Sequence, residues 1–145
     1  MSNPCVFCEI LHGTRPAHIV FEDEHSLAFL DQRPLFPGHC LLVPREHHET
    51  LQALPGKLIA PLFLNAQLLA RAVEKGMGAE GIFVGINNRV SQSVPHLHIH
   101  VVPRRRQDGL RGFFWPRRPY ESEQAAMEAC DAIRGTLAEL SEGNG

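Results

Sequence analysis

The chain has 145 residues, 43% hydrophobic and 21% charged, with 14 basic against 16 acidic side chains. That is one domain's worth of ordinary globular sequence, long enough to bury a core without disulfides, and its net charge of −2 argues against a surface given over to nucleic acid or membrane. No apolar run approaches the roughly 18–20 residues that cross a bilayer, and Met1-Ser2-Asn3-Pro4 lacks the regions of a signal peptide, so a soluble cytoplasmic protein is expected.

Along the chain, Cys5 and Cys8 form a C-x2-C pair. In a reducing compartment such a pair suits metal or redox chemistry better than a structural disulfide. His18–Glu22 and Ser26–Asp31 are apolar runs around Asp23-Glu24-His25, which predicts a hairpin. Pro34–Gly38 is a turn-rich loop. Cys40-Leu41-Leu42-Val43, within His39–Pro44, is apolar throughout and predicts a central strand covered on both faces, with Cys40 a core thiol. Leu62, Ala66, Leu69 and Val73 recur at helical spacing inside a helix with its interior from about Ala60 to Lys75. Proline is tolerated near a first turn, so this helix is expected to begin close to Pro61 and to end at Gly76-Met77-Gly78. Strands are expected over Gly81–Asn87 and Ser93–Pro103. A last helix is expected over about Ser122–Leu140, with Ala126, Cys130, Ile133, Leu137 and Leu140 on one stripe and Cys130 another core thiol. Strands linked by short turns, with helices set apart, predict an α+β fold with a largely antiparallel sheet.

Nine histidines accompany one tyrosine and one tryptophan. In His96-Leu97-His98-Ile99-His100-Val101-Val102 the alternation of a strand puts three imidazoles on one face, in a row of about 13 Å, with Leu97, Ile99 and Val101 on the other. Two chemistries fit. The rings could ligate zinc in an open hydrolytic site, or one could act as a nucleophile toward phosphorus, made basic through its other nitrogen. Outside catalysis, the resemblance that this segment bears to a known family leaves a nucleotide-binding regulatory module with little activity as a further alternative.

The same segment resembles the histidine-triad (HIT) family signature, His-φ-His-φ-His-φ-φ with φ apolar. The similarity extends to Phe7, Ile10, Phe21-Glu22-Asp23, Ala28-Phe29-Leu30-Asp31, Pro37-Gly38-His39 and Leu42-Val43-Pro44-Arg45-Glu46-His47, covering about residues 4–104. The resemblance implies a single HIT domain over 1–145, with a core of about 4–104, a basic and aromatic loop over 104–119 and a C-terminal helix over 122–140. It implies an α+β fold with a mainly antiparallel five-stranded sheet and two main helices, dimerising through sheet and helix.

It also implies a function and its residues. His98 would attack the α-phosphorus of a purine nucleotide derivative (a dinucleoside polyphosphate, a phosphoramidate or an aminoacyl-adenylate), forming a nucleotidyl-histidine that water hydrolyses. His100 would orient and polarise the site, and Gln92, Ser93 and Asn87 would donate to the phosphate. Here Asn87-Asn88-Arg89-Val90-Ser91-Gln92 departs from the family's glycine-rich loop, with Ser91 where glycine is usual and Arg89 able to meet a polyphosphate tail. Asp31 matches the ribose-binding acid; Phe7, Ile10, Phe29 and Leu42 match apolar positions around the base. Cys5, Cys8, His47 and His96 match a closed structural zinc set, so no catalytic metal is required. His39 is expected as a turn residue packing under the site and His48 as exposed. Arg104, Arg105, Arg106, Arg111, Arg117 and Arg118 surround Gly112–Trp115 with Asp108 as the sole acid between 104 and 118. That stretch is expected to steer anionic nucleotides rather than to bind nucleic acid, with Trp115 near the site.

Overall fold

The chain is described by a computed structural model over residues 4–111 and 116–143, so the expectations for Gly112–Trp115 lie outside the described residues. It divides into two compact units, one running to Asp108 and one from Gly109. The first unit carries α1 (Val6–Leu11), β1 (Ile19–Glu22), β2 (Ser26–Leu30), β3 (Cys40–Pro44), α2 (Gly56–Gly76), β4 (Gly81–Gly85) and β5 (Ile99–Arg104); the second carries α3 (Glu123–Gly143). The strands form one antiparallel sheet in the order β1-β2-β3-β5-β4.

Side-chain alternation divides the sheet into two faces. Ala28, Cys40, Leu42, Leu97, Ile99 and Val101 point to one side, where they pack on the Leu62, Ala66, Leu69 and Val73 stripe of α2. Leu27, Phe29, Leu41 and Val43 point to the other, where Phe7 and Ile10 of α1 cover them. Strand β3 is buried along its whole length, which explains its unbroken apolar run. Asn65 on α2 donates to Ser26 Oγ at 2.6 Å and to Asp23 Oδ2 at 2.9 Å, tying the helix to the β1–β2 turn.

Three expectations need correction, and one short helix lies outside them. Helix α2 begins at Gly56, a full turn before Pro61. The missing proline N–H spares a bond to the carbonyl of Lys57, an exposed residue where water can replace it. Strand β5 begins at Ile99 rather than Ser93. Its ladder with β3 ends at the Leu42–Ile99 pair, and the N–H of Leu97 bonds the carbonyl of His48 instead (2.7 Å). Helix α1, six residues long, is too short to carry a periodic signal in the sequence. Within the second unit, Ser122 Oγ accepts from the N–H of Ala125 at 3.0 Å and caps α3, but Cys130 is exposed rather than a core thiol. Among the described residues, no helix is long and apolar enough to cross a membrane.

Candidate active site and metal-binding set

The site lies on the α1 side of the sheet. Loop Asp31–His39 closes on itself: the N–H of Asp31 donates to the carbonyl of His39 at 2.9 Å, and Asp31 Oδ1 accepts from the N–H of Arg33 at 2.9 Å. Gly38 is needed there. Its φ is +98°, and a Cβ would stand 2.6 Å from Met77 Cγ. Across the sheet, His100 sits directly opposite Leu41, and Leu41 opposite Phe29, so the three share a face. A cavity of about 270 Å³ opens on that face, and Phe7, Ile10, Phe29, Asp31, His98 and His100 all line it. Phe7 stands edge-on to His98, ring centroids 5.0 Å apart, and to Phe29 at 5.4 Å.

Hydrogen bonds set the state of each ring. His98 Nδ1 lies 2.8 Å from the carbonyl of its near neighbour His96. A carbonyl only accepts, so Nδ1 carries the proton and Nε2 keeps its lone pair. His39 is buried, and its Nδ1 accepts from the N–H of Leu35 at 3.1 Å. Its proton therefore rests on Nε2, which donates to His100 Nδ1 at 3.0 Å and lies 3.6 Å from Asp31 Oδ2. That leaves His100 with its own proton on Nε2. Burial is the main cause holding His39, His98 and His100 neutral. It pushes His100 from the ordinary 6.5 down to about 4, with His98 and His39 adding in the same direction.

A second constellation lies at the other end of the triad. Cys5, Cys8, His47 and His96 place their ligand atoms within 4.8 Å of one another. Zinc held tetrahedrally at ~2.3 Å by sulfur and ~2.0–2.1 Å by nitrogen separates neighbouring S and N atoms by about 3.5 Å. Here Cys8 Sγ–His47 Nδ1 is 3.3 Å, Cys5 Sγ–His96 Nδ1 3.4 Å and Cys8 Sγ–His96 Nδ1 3.6 Å. The other nitrogen of His96 donates to the carbonyl of Pro44 at 3.0 Å, which turns the Nδ1 lone pair toward the thiols. The residues fit zinc. Asp31, His39 and His100 also converge, but the N–H of Leu35 holds the His39 proton on the inward nitrogen, which makes them a hydrogen-bond chain rather than a ligand set. Among the described residues, neither group contains His98.

A family model described as HIT domain matches residues 12–107. The chain belongs to the HIT family. Over 145 aligned residues this HIT chain is 32% identical to Adenylylsulfatase HINT3 of Arabidopsis thaliana, an alignment covering 98% of this chain and 74% of that protein. It is 34% identical over 122 residues to adenosine 5'-monophosphoramidase hnt1 of Schizosaccharomyces pombe, covering 83% and 89% of the two chains. Among solved structures, a Zn-bound histidine triad family protein from Mycobacterium smegmatis matches with a TM-score of 0.70 and 37% identity, covering 96% of each chain.

The remaining expected residues of the HIT site fall in different places. Ser93 lines the cavity. Asn87 is half-buried beyond the end of β4; continuing the Gly85–His100 register would put it opposite His98. Gln92 turns away: its Oε1 accepts from the N–H of Arg89 at 2.7 Å and its Nε2 donates to the carbonyl of Glu49 at 2.6 Å, which braces the loop. Ser91, where the resemblance leads one to expect glycine, has φ +60°, a left-handed conformation. Leu42 faces α2, and Leu41 lines the cavity in its place. His48 is half-buried rather than exposed. His39 is the residue that the sequence undervalued; as a ring beside Pro37-Gly38 it carried no spacing to the triad, and only the β3–β5 pairing brings it to His100.

Proposed function

We propose that this protein is a nucleotide hydrolase that cleaves at the α-phosphate of a purine nucleotide derivative through a nucleotidyl-histidine intermediate. The carrying observation is His98, whose Nδ1–H is committed to a backbone carbonyl on the wall of a cavity that also holds Asp31, Ser93 and His100. The hydrolase names of the Arabidopsis and fission-yeast relatives support the same class.

Phe7, Ile10, Phe29 and Leu41 offer an apolar slot for the base, and the Asp31 carboxylate takes the ribose hydroxyls. The His98 Nε2 lone pair then forms a bond to phosphorus while the bond to the leaving group breaks. The leaving group departs with that electron pair and takes a proton from cavity water. The phosphorylated ring is cationic, and the His96 carbonyl at its Nδ1–H stabilises it. Water next attacks phosphorus, the N–P bond breaks with its pair returning to Nε2, and the released proton goes to solvent. His100 Nε2–H and the Ser93 hydroxyl donate to the phosphoryl oxygens as charge builds on them. Asn87 would add a further donor, and Gln92 acts by holding the loop.

Cys5, Cys8, His47 and His96 would hold a structural zinc, whose two thiolates balance its charge and whose closed set activates no water. No catalytic metal is required. The protein acts as a homodimer, which β4 at a sheet edge and the exposed Leu64 and Leu68 of α2 support.

The test is trapping. Acid quench of the enzyme with a slow substrate should give a nucleotidyl-protein adduct that His98→Ala does not form, with turnover lowered by at least ~10³-fold. Chelation should lower thermal stability but leave turnover largely intact. Loss of turnover on chelation alone would favour a catalytic metal, and background turnover with intact nucleotide binding would favour a regulatory module.

A further inference from the structure

The cavity that His98 lines has two polar ends. In the sheet register Leu30, Cys40 and Val101 are level, so Asp31, just past β2, and His98, just before β5, line it from opposite ends. Beyond Asp31 the lining continues with Gln32 and Arg33, and Arg15 joins them. The N–H of Leu30 donates to the carbonyl of His18 at 3.0 Å, which lays the segment entering β1 beside the end of β2 and brings Arg15 there. Asp31 Oδ1 accepts from the N–H of Arg33, so carboxylate and guanidinium stand on one turn. Among the described residues, the Arg33 guanidinium makes no hydrogen bond or ion pair. Arg15 Nε pairs with Glu9 Oε2 at 2.7 Å, which steadies that side chain and leaves its two terminal nitrogens as donors. Hydrolysis at the α-phosphate uses the Asp31 carboxylate for the ribose and gives neither guanidinium a task.

We propose that Arg15 and Arg33 form a phosphate subsite at the ribose edge, and that the substrate is a nucleotide whose ribose carries a phosphomonoester on its 2' or 3' oxygen. The proposal rests on the reading that Asp31 meets the ribose while His98 meets the α-phosphorus. A guanidinium presents paired N–H donors that match two oxygens of a phosphate, and it stays charged at every working pH. Asp31 then holds the remaining ribose hydroxyl. Asp31 and Glu9 oppose a dianion here, so the gain from direct contact with two guanidinium groups is modest rather than large. The chain's net charge of −2 disfavours a long polyanion, which singles out a small nucleotide over an RNA end.

Calorimetry compares the binding of adenosine 5'-monophosphate, adenosine 2',5'-bisphosphate, adenosine 3',5'-bisphosphate and a 5'-phosphorylated adenosine dinucleotide. The proteins are the wild type, Arg15→Gln, Arg33→Gln and Arg33→Glu. The wild type should bind one of the bisphosphates roughly tenfold more tightly than the monophosphate, the scale of two partly exposed ion pairs. That preference should shrink as salt rises. Each glutamine substitution should cut the ratio about threefold, and Arg33→Glu should bring it to one or below. A ratio taken within one protein cancels any loss of folded material or of affinity common to both ligands. The same preference should appear in kcat/KM when adenosine 5'-phosphoramidate is compared with its form phosphorylated at that ribose position. A wild-type ratio near one, or a ratio indifferent to all three substitutions, would overturn the subsite and leave the hydrolase reading standing. A dinucleotide bound as tightly as the better bisphosphate would overturn the small-nucleotide assignment in favour of an RNA end. Failure to bind any of the four ligands, together with no turnover of adenosine 5'-phosphoramidate, would overturn the nucleotide reading and the subsite with it.

Discussion

His39 shows how one buried side chain can set the state of another. Its Nδ1 accepts from a fixed backbone N–H, so its remaining proton must face His100, and His100 must in turn present its own proton to the cavity. His39 is a positioning residue in this scheme: it touches no reacting atom. His39→Ala should lower kcat roughly 10- to 100-fold, the scale of a misaligned site, while KM for nucleotide changes less than about threefold. Some stability is lost as well, because the Leu35 N–H is left without its partner, at a cost of about 1–3 kcal/mol. His39→Gln, which can carry an amide N–H toward His100, should recover much of kcat. Steady-state kinetics on the three proteins check this, and a kcat for His39→Ala within twofold of wild type would refute the chain. At this scale the sequence displayed the groups with an intrinsic signature: three alternating imidazoles, and an acid ending an apolar strand. It did not display partners joined by strand pairing, and it gave no sign that Gln92 is consumed by its own loop.

At the scale of elements, β3 separates two jobs by alternation alone. Leu41 and Leu42 are both buried and adjacent, and composition cannot tell them apart. The register does: Leu41 pairs with Phe29 and His100 on the cavity side, while Leu42 lies among the α2-facing core. Leu42→Ala should cost about 2–5 kcal/mol of stability, as for other buried leucines, with KM unchanged in the protein that remains folded. Leu41→Ala should raise KM for nucleotide roughly three- to tenfold through lost apolar contact. Thermal melts and kinetics on both variants decide it, and equal KM values would mean the base does not lie on Leu41. The alternation of the triad was similarly legible, since Leu97, Ile99 and Val101 do face the α2 core. The pairing was not. His96 and His98 precede β5, because the Leu97 N–H bonds the loop at His48 rather than β3, and His96 is turned toward Cys8 on α1 and Cys5 just before it.

Over the whole molecule, the histidines bear on stability as well as on chemistry. The formal charge of −2 counts all nine as neutral, and burial enforces that for the site rings. His100 titrates at about 4 in the folded protein against 6.5 ordinarily, and His39 is also shifted downward, in both cases chiefly by burial. The sign follows from which state binds protons first. As pH falls from 6.5 toward 4 the unfolded chain protonates His100 while the folded chain resists, and His39 acts in the same direction, so unfolding is drawn forward by acid. The stability they contribute is complete above about pH 6.5 and is lost as pH falls toward 4. Melting temperature should therefore stay level from neutral pH to about 6.5 and drop progressively below it. Zinc loss acts in the same direction, because acid protonates thiolates and imidazoles alike, so the measurement needs metal-stripped protein beside the loaded form. The slope should persist without metal and should shrink in His100→Asn, which keeps a polar side chain beside His39 but cannot take up a proton. A metal-stripped protein whose melting temperature is flat from pH 6.5 to 4 would mean that the buried rings carry no such cost, and that acid sensitivity belongs to the metal set alone.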